Sequence, residues 1–288
     1  YMIETISQRL FSKTPTDTLY HYTSLGGLMG IVDGRYLRAS DVRFMNDSAE
    51  LRHTLDLLRR HIERRIRSGT DHPKLMTAML EWLSHRVVGE PMIFAGSFRA
   101  NGNLLSQWRG YSTHGKGVSI GFAADHIQCC AEQQNFLIGR CIYASAIQQQ
   151  LIEQIADGIE YEATQKSAAG DVAYRKILEQ NEEALLSIAA MLKHPAFEEE
   201  DEWRVVSPRI VNLHQHPVDF REGVSMLVPY YRFDLSAGQS SGLPLEHMFI
   251  GPSGNAELSL TSIELYLDSR NARPQNGISD CEIPFRKR

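Results

Sequence analysis

An α+β architecture is the fold class that this sequence predicts, on three observations. Strand segments outnumber the helices that directly follow them, which argues against a doubly wound parallel sheet. Two helical stretches, at about 47–88 and 145–193, interrupt the succession of short strands as insertions. The 288 residues are 42% hydrophobic and 23% charged, an ordinary globular composition with enough chain to bury a sizeable core. A single domain over 1–288 carrying both insertions is the expected organisation.

Ile3 to Phe11 has helical spacing, and the Thr/Pro/Asp cluster from Thr14 to Thr18 breaks it before the apolar LYHY at Leu19 to Tyr22. Ser24 caps a helix over Leu25 to Val32, and Gly34 ends that helix before a short strand at Tyr36 to Ala39. From Asp47, Leu51, Leu55, Leu58, Ile62 and Ile66 recur at steps of four and three, the stripe of an amphipathic helix. A second helix spans Pro73 to Val87, and MIFAGSF at Met92 to Phe98 is a compact strand. LLSQWRGYS forms a short helix before the strand GVSIGF, Gly117 to Phe122.

Phe136 to Tyr143 is a further strand. The polar segment from Ala146 to Leu192 is helical, with interruptions expected near Gly158 and Gly170 and a stop at His194-Pro195. Strands follow at Glu202 to Ser207, Val218 to Arg221, Ser225 to Leu235 and Leu245 to Ile250. Gly251-Pro252 then turns the chain into a helix from Asn255 to Ser269, and Ser279 to Phe285 makes a last strand.

Lys plus Arg number 30 against 35 Asp plus Glu, a formal charge of -5, so no global basic field points to nucleic acid. A local one exists: Arg52 to Arg67 holds six Arg against Asp56 and Glu63, a solvated face in the simplest reading and a nucleic-acid contact in the other. Cys129, Cys130, Cys141 and Cys281 have neither zinc-ligand nor disulfide-framework spacing, which implies a reducing compartment. No uncharged apolar run approaches membrane-helix length, and the first residues carry no continuous apolar stretch. A cytoplasmic protein without membrane or metal is the expectation. His214 and His216 are spaced to share one strand face but lack further ligands nearby.

The chemistry-bearing residues lie in three places. His21 sits between Tyr20 and Tyr22 in the first strand, a position more often taken by a hydrogen-bonded core histidine than by a catalyst. Ser106, Trp108, Arg109 and Tyr111 fall within one and a half helical turns. There Arg109 offers a fork to a phosphate or carboxylate, and the rings offer flat faces to a planar group. Their bland reading is a packed aromatic helix whose Arg pairs with an acidic loop. In FEEEDEWRVV, Glu198 to Asp201 run into a strand that opens with Glu202, whose backbone the sheet then holds rigid. Gly115-Lys116-Gly117 leads into a strand, so it lacks the helix N-terminus of a phosphate-binding loop.

Taken in order, LYHYTS, SQWRGYS before GKGVSIGF, KHPAF with its acidic run and EWR, and EIPFR near the end resemble domain-of-unknown-function family 2971, from about Leu19 to Arg286. That family name implies no activity. A more distant likeness does: His in a first strand, Ser and Tyr on a short helix before a strand, and Glu opening a late strand look like the H-Y-E arrangement of ADP-ribosyltransferases. The likeness implies split mixed or antiparallel β-sheets flanked by helices, with NAD as substrate and a protein or nucleic-acid acceptor. It implies that His21 binds the adenosine ribose, with Tyr22 beside it in the cofactor site, that Tyr111 stacks on nicotinamide, and that Glu202 holds the nicotinamide ribose; Ser24, at the start of the first helix, is positioned to lend backbone N–H groups to the phosphates. Ser106, Trp108 and Arg109 would belong to the binding wall, with Arg109 neutralising pyrophosphate charge. Glu200 of the E-x-E pair would orient the incoming nucleophile. Trp108-Arg109 departs from the small residues usual between Ser and Tyr, and the helical insertion before the acidic loop is long. The implied activity is ADP-ribosyl transfer or NAD hydrolysis. The competing expectation is a catalytically inactive module of the same shape that senses a nucleotide or a nucleic-acid end.

Overall fold

The structure is a computed structural model and describes residues 2–45, 48–86, 92–111, 117–223, 225–239 and 241–281. It is a mixed α+β fold around one largely antiparallel sheet. The strands are β1 (Leu19–Ser24), β2 (Tyr36–Asp41), β3 (Phe94–Arg99), β4 (Gly117–Phe122), β5 (Leu137–Arg140), β6 (Glu202–Val206), β7 (Val218–Glu222), β8 (Leu227–Asp234), β9 (His247–Ile250) and β10 (Ile278–Asp280). Their order is β10-β9-β4-β1-β3-β2-β8-β7, with β6 paired to β3 and β5 paired to β6; β9 and β10 run parallel.

The functional geometry begins at β3. One edge of β3 is paired along its length by β6, from Ala95↔Val206 to Arg99↔Glu202. Its other edge therefore receives both β1 and β2, and each touches only an end: β1 at Tyr20↔Arg99, β2 at Ser40↔Ala95 and Asp41↔Phe94. Between these contacts the two strands splay apart, β1 to pair fully with β4 and β2 to pair with β8. The sheet is thereby split into a wedge whose apex is β3.

Helices cover the faces. α1 (Met2–Leu10), α3 (Ser48–Ser68), α4 (Pro73–Arg86), α7 (Ser145–Gln165) and α8 (Asp171–Ala189) bury a common core of Ile3, Ile6, Ile62, Met79, Ile155 and Ile188, among others. The two stretches read from sequence as separate insertions thus form one helical layer with α1. Glycine does not interrupt α7 as expected. The helix runs through Gly158, where a Cβ would lie 2.9 Å from the Ile3 side chain, so the glycine permits close approach of α1. The break at Gly170 is present, between α7 and α8.

α2 (Leu25–Gly34), α6 (Ala124–Gln133) and α9 (Ala256–Ser269) pack on the main sheet core with Leu28, Ile127 and Ile263, and α5 (Leu105–Tyr111) buries Trp108 beside β1. α6 was not anticipated; its buried stripe of Ala124, Ile127, Cys130 and Ala131 is short and partly made of small residues. β10 begins at Ile278, and the rest of the expected last strand, from residue 282, lies outside the described residues, as do Gly115 and Lys116. His214 lies within a 3-10 turn, Leu213–Gln215, and His216 caps its end, so they do not share a strand face. Among the described residues, no helix is long and apolar enough to cross a membrane.

A candidate active-site cleft in the split of the sheet

The wedge opens into a cleft of about 780 Å³. His21, Tyr22 and Ser24 of β1 line one side, Ser97 and Arg99 of β3 the base, and Tyr36 and Arg38 of β2 the far side. Tyr111 from the end of α5 and Glu202 and Arg204 of β6 also face it, together with Lys193, which follows α8.

His21 bridges the split. β1 has already left the edge of β3 at this level, so the Ser97 carbonyl has no strand partner there and accepts a hydrogen bond from His21 Nδ1 at 2.9 Å. A carbonyl can only accept, which assigns the imidazole proton to Nδ1 and leaves Nε2 an acceptor. Burial lowers the His21 pKa from 6.5 to about 4, with the Ser97 bond opposing and Arg99 reinforcing that shift, so the ring is neutral near pH 7.

Glu202 is the centre of an ion cluster. Its backbone is fixed by the ladder to Arg99, by donation of its N–H to the Tyr143 hydroxyl at 3.0 Å, and by its carbonyl accepting from Cys141. Its side chain is 1% exposed. One carboxylate oxygen accepts from Arg204 Nε at 2.7 Å; the other meets Lys193 Nζ at 2.5 Å and Arg99 at 3.4 Å. Burial pushes the Glu202 pKa up, but Arg204, Arg99 and Lys193 together outweigh it and hold the carboxyl below its ordinary range.

Glu200 ties Lys193 at 2.5 Å and Arg99 at 2.6 Å, and Arg204 also donates to the Ala190 carbonyl at the end of α8. Three cations against two carboxylates leave the cluster with one net positive charge. Between Glu200 and Glu202, Asp201 adopts a left-handed φ of 39° and pairs with Arg140, turning the chain from a 3-10 turn into β6. Among the described residues Arg99 Nε, buried, has no hydrogen-bond partner.

The other residues singled out in the sequence have different surroundings. Tyr111 is 39% exposed at the rim, its ring 6.1 Å from that of Tyr22, and burial raises its pKa. Tyr22 is itself held by donating to the Asn101 carbonyl and accepting from the Leu104 N–H. Trp108 is not a lining residue. It is fully buried, donates to Asn103 at 2.8 Å and packs edge-on against Tyr22 at 4.9 Å, which seats α5 and hence Tyr111. Ser106 and Arg109 are exposed and outside the lining, Ser106 within 3.3 Å of Glu199. Ser24 accepts from the Gly27 N–H as the N-cap of α2. On the basic helix, Arg65 turns inward to Asp157 and Glu160, and Arg60 and Arg67 donate to the carbonyls of Asp56 and Glu63.

Residues 107–205 match the family model described as protein of unknown function (DUF2971). No curated protein and no solved structure matches the chain. The DUF2971 match is narrower than the resemblance read from Leu19 to Arg286, and it contains Tyr111, Lys193, Glu200, Glu202 and Arg204 while leaving out His21 and Arg99. Sequence reasoning missed Arg99, Lys193 and Arg204 as members of the cluster. One signal was available, because Glu202 and Arg204 stand two apart on a strand and so share a face.

Replacing Glu202 with Gln leaves three clustered cations short of a charge. The expected loss is about 3–5 kcal/mol of unfolding free energy in a denaturant titration. The depressed His21 pKa has a separate consequence: below pH 6.5 the unfolded chain binds a proton that the folded one refuses until about pH 4. Stability therefore falls as the pH is lowered across that window, by at most about 1.4 kcal/mol per unit. His21→Gln should flatten this slope, whereas Glu202, depressed from 4.5, loses its contribution only at lower pH.

Proposed function

We propose that the cleft binds NAD and cleaves its nicotinamide–ribose bond, passing ADP-ribose to a macromolecular acceptor or to water. The observation that carries this reading is that His21, Tyr111 and Glu202, far apart in sequence, line one cleft where the sheet splits. The volume lies within the range of nucleotide-sized sites, and the H-Y-E resemblance gives each residue a part.

In the reaction the C1′–N1 bond breaks and its electron pair neutralises the pyridinium nitrogen. The acceptor oxygen or nitrogen then bonds to C1′ and loses its proton. Positive charge builds on the ribose, as in glycoside cleavage. Glu202, ionised and fixed by the sheet, supplies the opposing charge. The net positive cluster around it opposes the charge that builds on the ribose; a bound pyrophosphate carries two negative charges and reverses the balance. Arg99, which lines the cleft, donates to that pyrophosphate. Tyr111 stacks on the leaving ring, and neutral His21 accepts a ribose hydroxyl at Nε2. Glu200, already paired with Lys193 and Arg99, would have to exchange a partner to meet a nucleophile.

One observation favours a second reading. Both carboxylate oxygens of Glu202 are engaged by Arg204 and Lys193, an arrangement suited to a nucleotide-binding module without turnover. Nicotinamide release from NAD by the purified protein, with and without cell extract, separates the two. The first reading predicts release, and Tyr111→Ala, at a partly exposed position, should lower kcat/KM about tenfold or more through the lost stack. NAD binding with no release in either condition would establish the binding module. Neither binding nor release would end both readings.

A further inference from the structure

On the far side of the wedge, the sheet face that looks into the cleft carries a strip of arginines. Residues directly opposite on paired strands share a face, which places Arg38 of β2, Arg232 of β8 and Arg221 of β7 on the same side as Tyr36, Ser40 and Tyr230. Arg38 and Arg221 line the cleft. Arg38 and Arg232 are direct cross-strand partners, both exposed. Like charges in that position destabilise a sheet. No carboxylate among the described residues forms an ion pair with any of the three arginines.

Two carboxylates do share the face. Asp219 lies opposite Tyr230, and Asp234, opposite Tyr36, is engaged by Ser236. Three arginines against these two leave the strip positive. The Arg38 guanidinium lies 5.2 Å over the Tyr230 ring, which stacks on Tyr36 at 6.4 Å and 11°. An aromatic floor thus supports a guanidinium that has no carboxylate ion-pair partner among the described residues.

This strip is separate from the inner cluster of Arg99, Lys193 and Arg204, whose charge Glu200 and Glu202 largely balance. One cleft therefore has two cationic poles, each with three cations against two carboxylates; the inner cations are ion-paired, and among the described residues the outer ones are not. We infer that the substrate carries a phosphate monoester in addition to its pyrophosphate, and that the Arg38/Arg232 pair binds it. On the NAD reading, on which this inference rests, that substrate is the 2′-phosphorylated dinucleotide in preference to the unphosphorylated one. The bound phosphate accepts from the two guanidiniums and removes their repulsion.

The test compares ADP-ribose with ADP-ribose 2′-phosphate, neither of which has a nicotinamide bond to cleave, by calorimetry on the full chain. The phosphorylated probe should bind about tenfold tighter or more, the effect of one charge-assisted contact. In Arg38→Gln/Arg232→Gln that preference should vanish, while ADP-ribose affinity stays within about threefold of wild type. The double variant should also unfold at a higher Tm without ligand, since its cross-strand repulsion is gone. Equal affinities in the wild type, or equal losses for both probes in the variant, would overturn the inference, the latter by placing the pyrophosphate on the strip. If ADP-ribose binds without preference, only this inference falls; if neither probe binds, the NAD reading falls with it.

Discussion

Burying an ionised carboxylate costs several kcal/mol unless cations meet it in good geometry, and around Glu202 three do. Arg204 reaches it from the same strand, Arg99 from the neighbouring strand and Lys193 from the end of the helical layer. These contacts join β3, β6 and α8 at one point. Arg204 adds a bond to the Ala190 carbonyl, where the helix dipole places partial negative charge. Removing one member leaves the others charged and poorly solvated, so the cluster fixes the base of the cleft as a unit.

The split in the sheet follows from a different constraint. β1 and β2 compete for one edge of β3, each gains only a terminal contact, and each finds its full partner elsewhere. The backbone groups exposed in the wedge need partners, and His21 supplies one by donating to Ser97. A histidine that satisfies a carbonyl is a structural residue by that bond. Its second nitrogen, unprotonated for the same reason, is what makes the position useful to a ligand. Structure and binding are two ends of one imidazole.

Much of the fold was legible in the sequence because its periodicities are strong. The stripe of Leu55, Leu58, Ile62 and Ile66 announced α3, and GVSIGF announced β4 from Gly117 to Phe122. What periodicity could not supply was the assembly of α3, α4, α7 and α8 into one layer, since insertions far apart in sequence reveal nothing of their mutual packing. At the site, Glu202 was singled out from an acidic run by its place at the start of a strand. Glu198 and Glu199 are exposed. Arg99, Lys193 and Arg204 were passed over because a charged residue in a strand or after a helix reads as solvated until tertiary contacts bury it. Trp108 shows the converse: an aromatic on a short helix resembled a ligand platform, and burial made it the support for Tyr22.

Glu202 is an ionised carboxylate locked among cations, and the most direct measurement of that state is carbon NMR of its carboxyl carbon in protein labelled on glutamate. Titrated from neutral pH down to about pH 3.5, the Glu202 resonance should show no protonation step while exposed glutamates titrate near their ordinary value of about 4.3. A step for Glu202 in that ordinary range would contradict the account, because a carboxylate so easily protonated is not held by Arg204, Lys193 and Arg99.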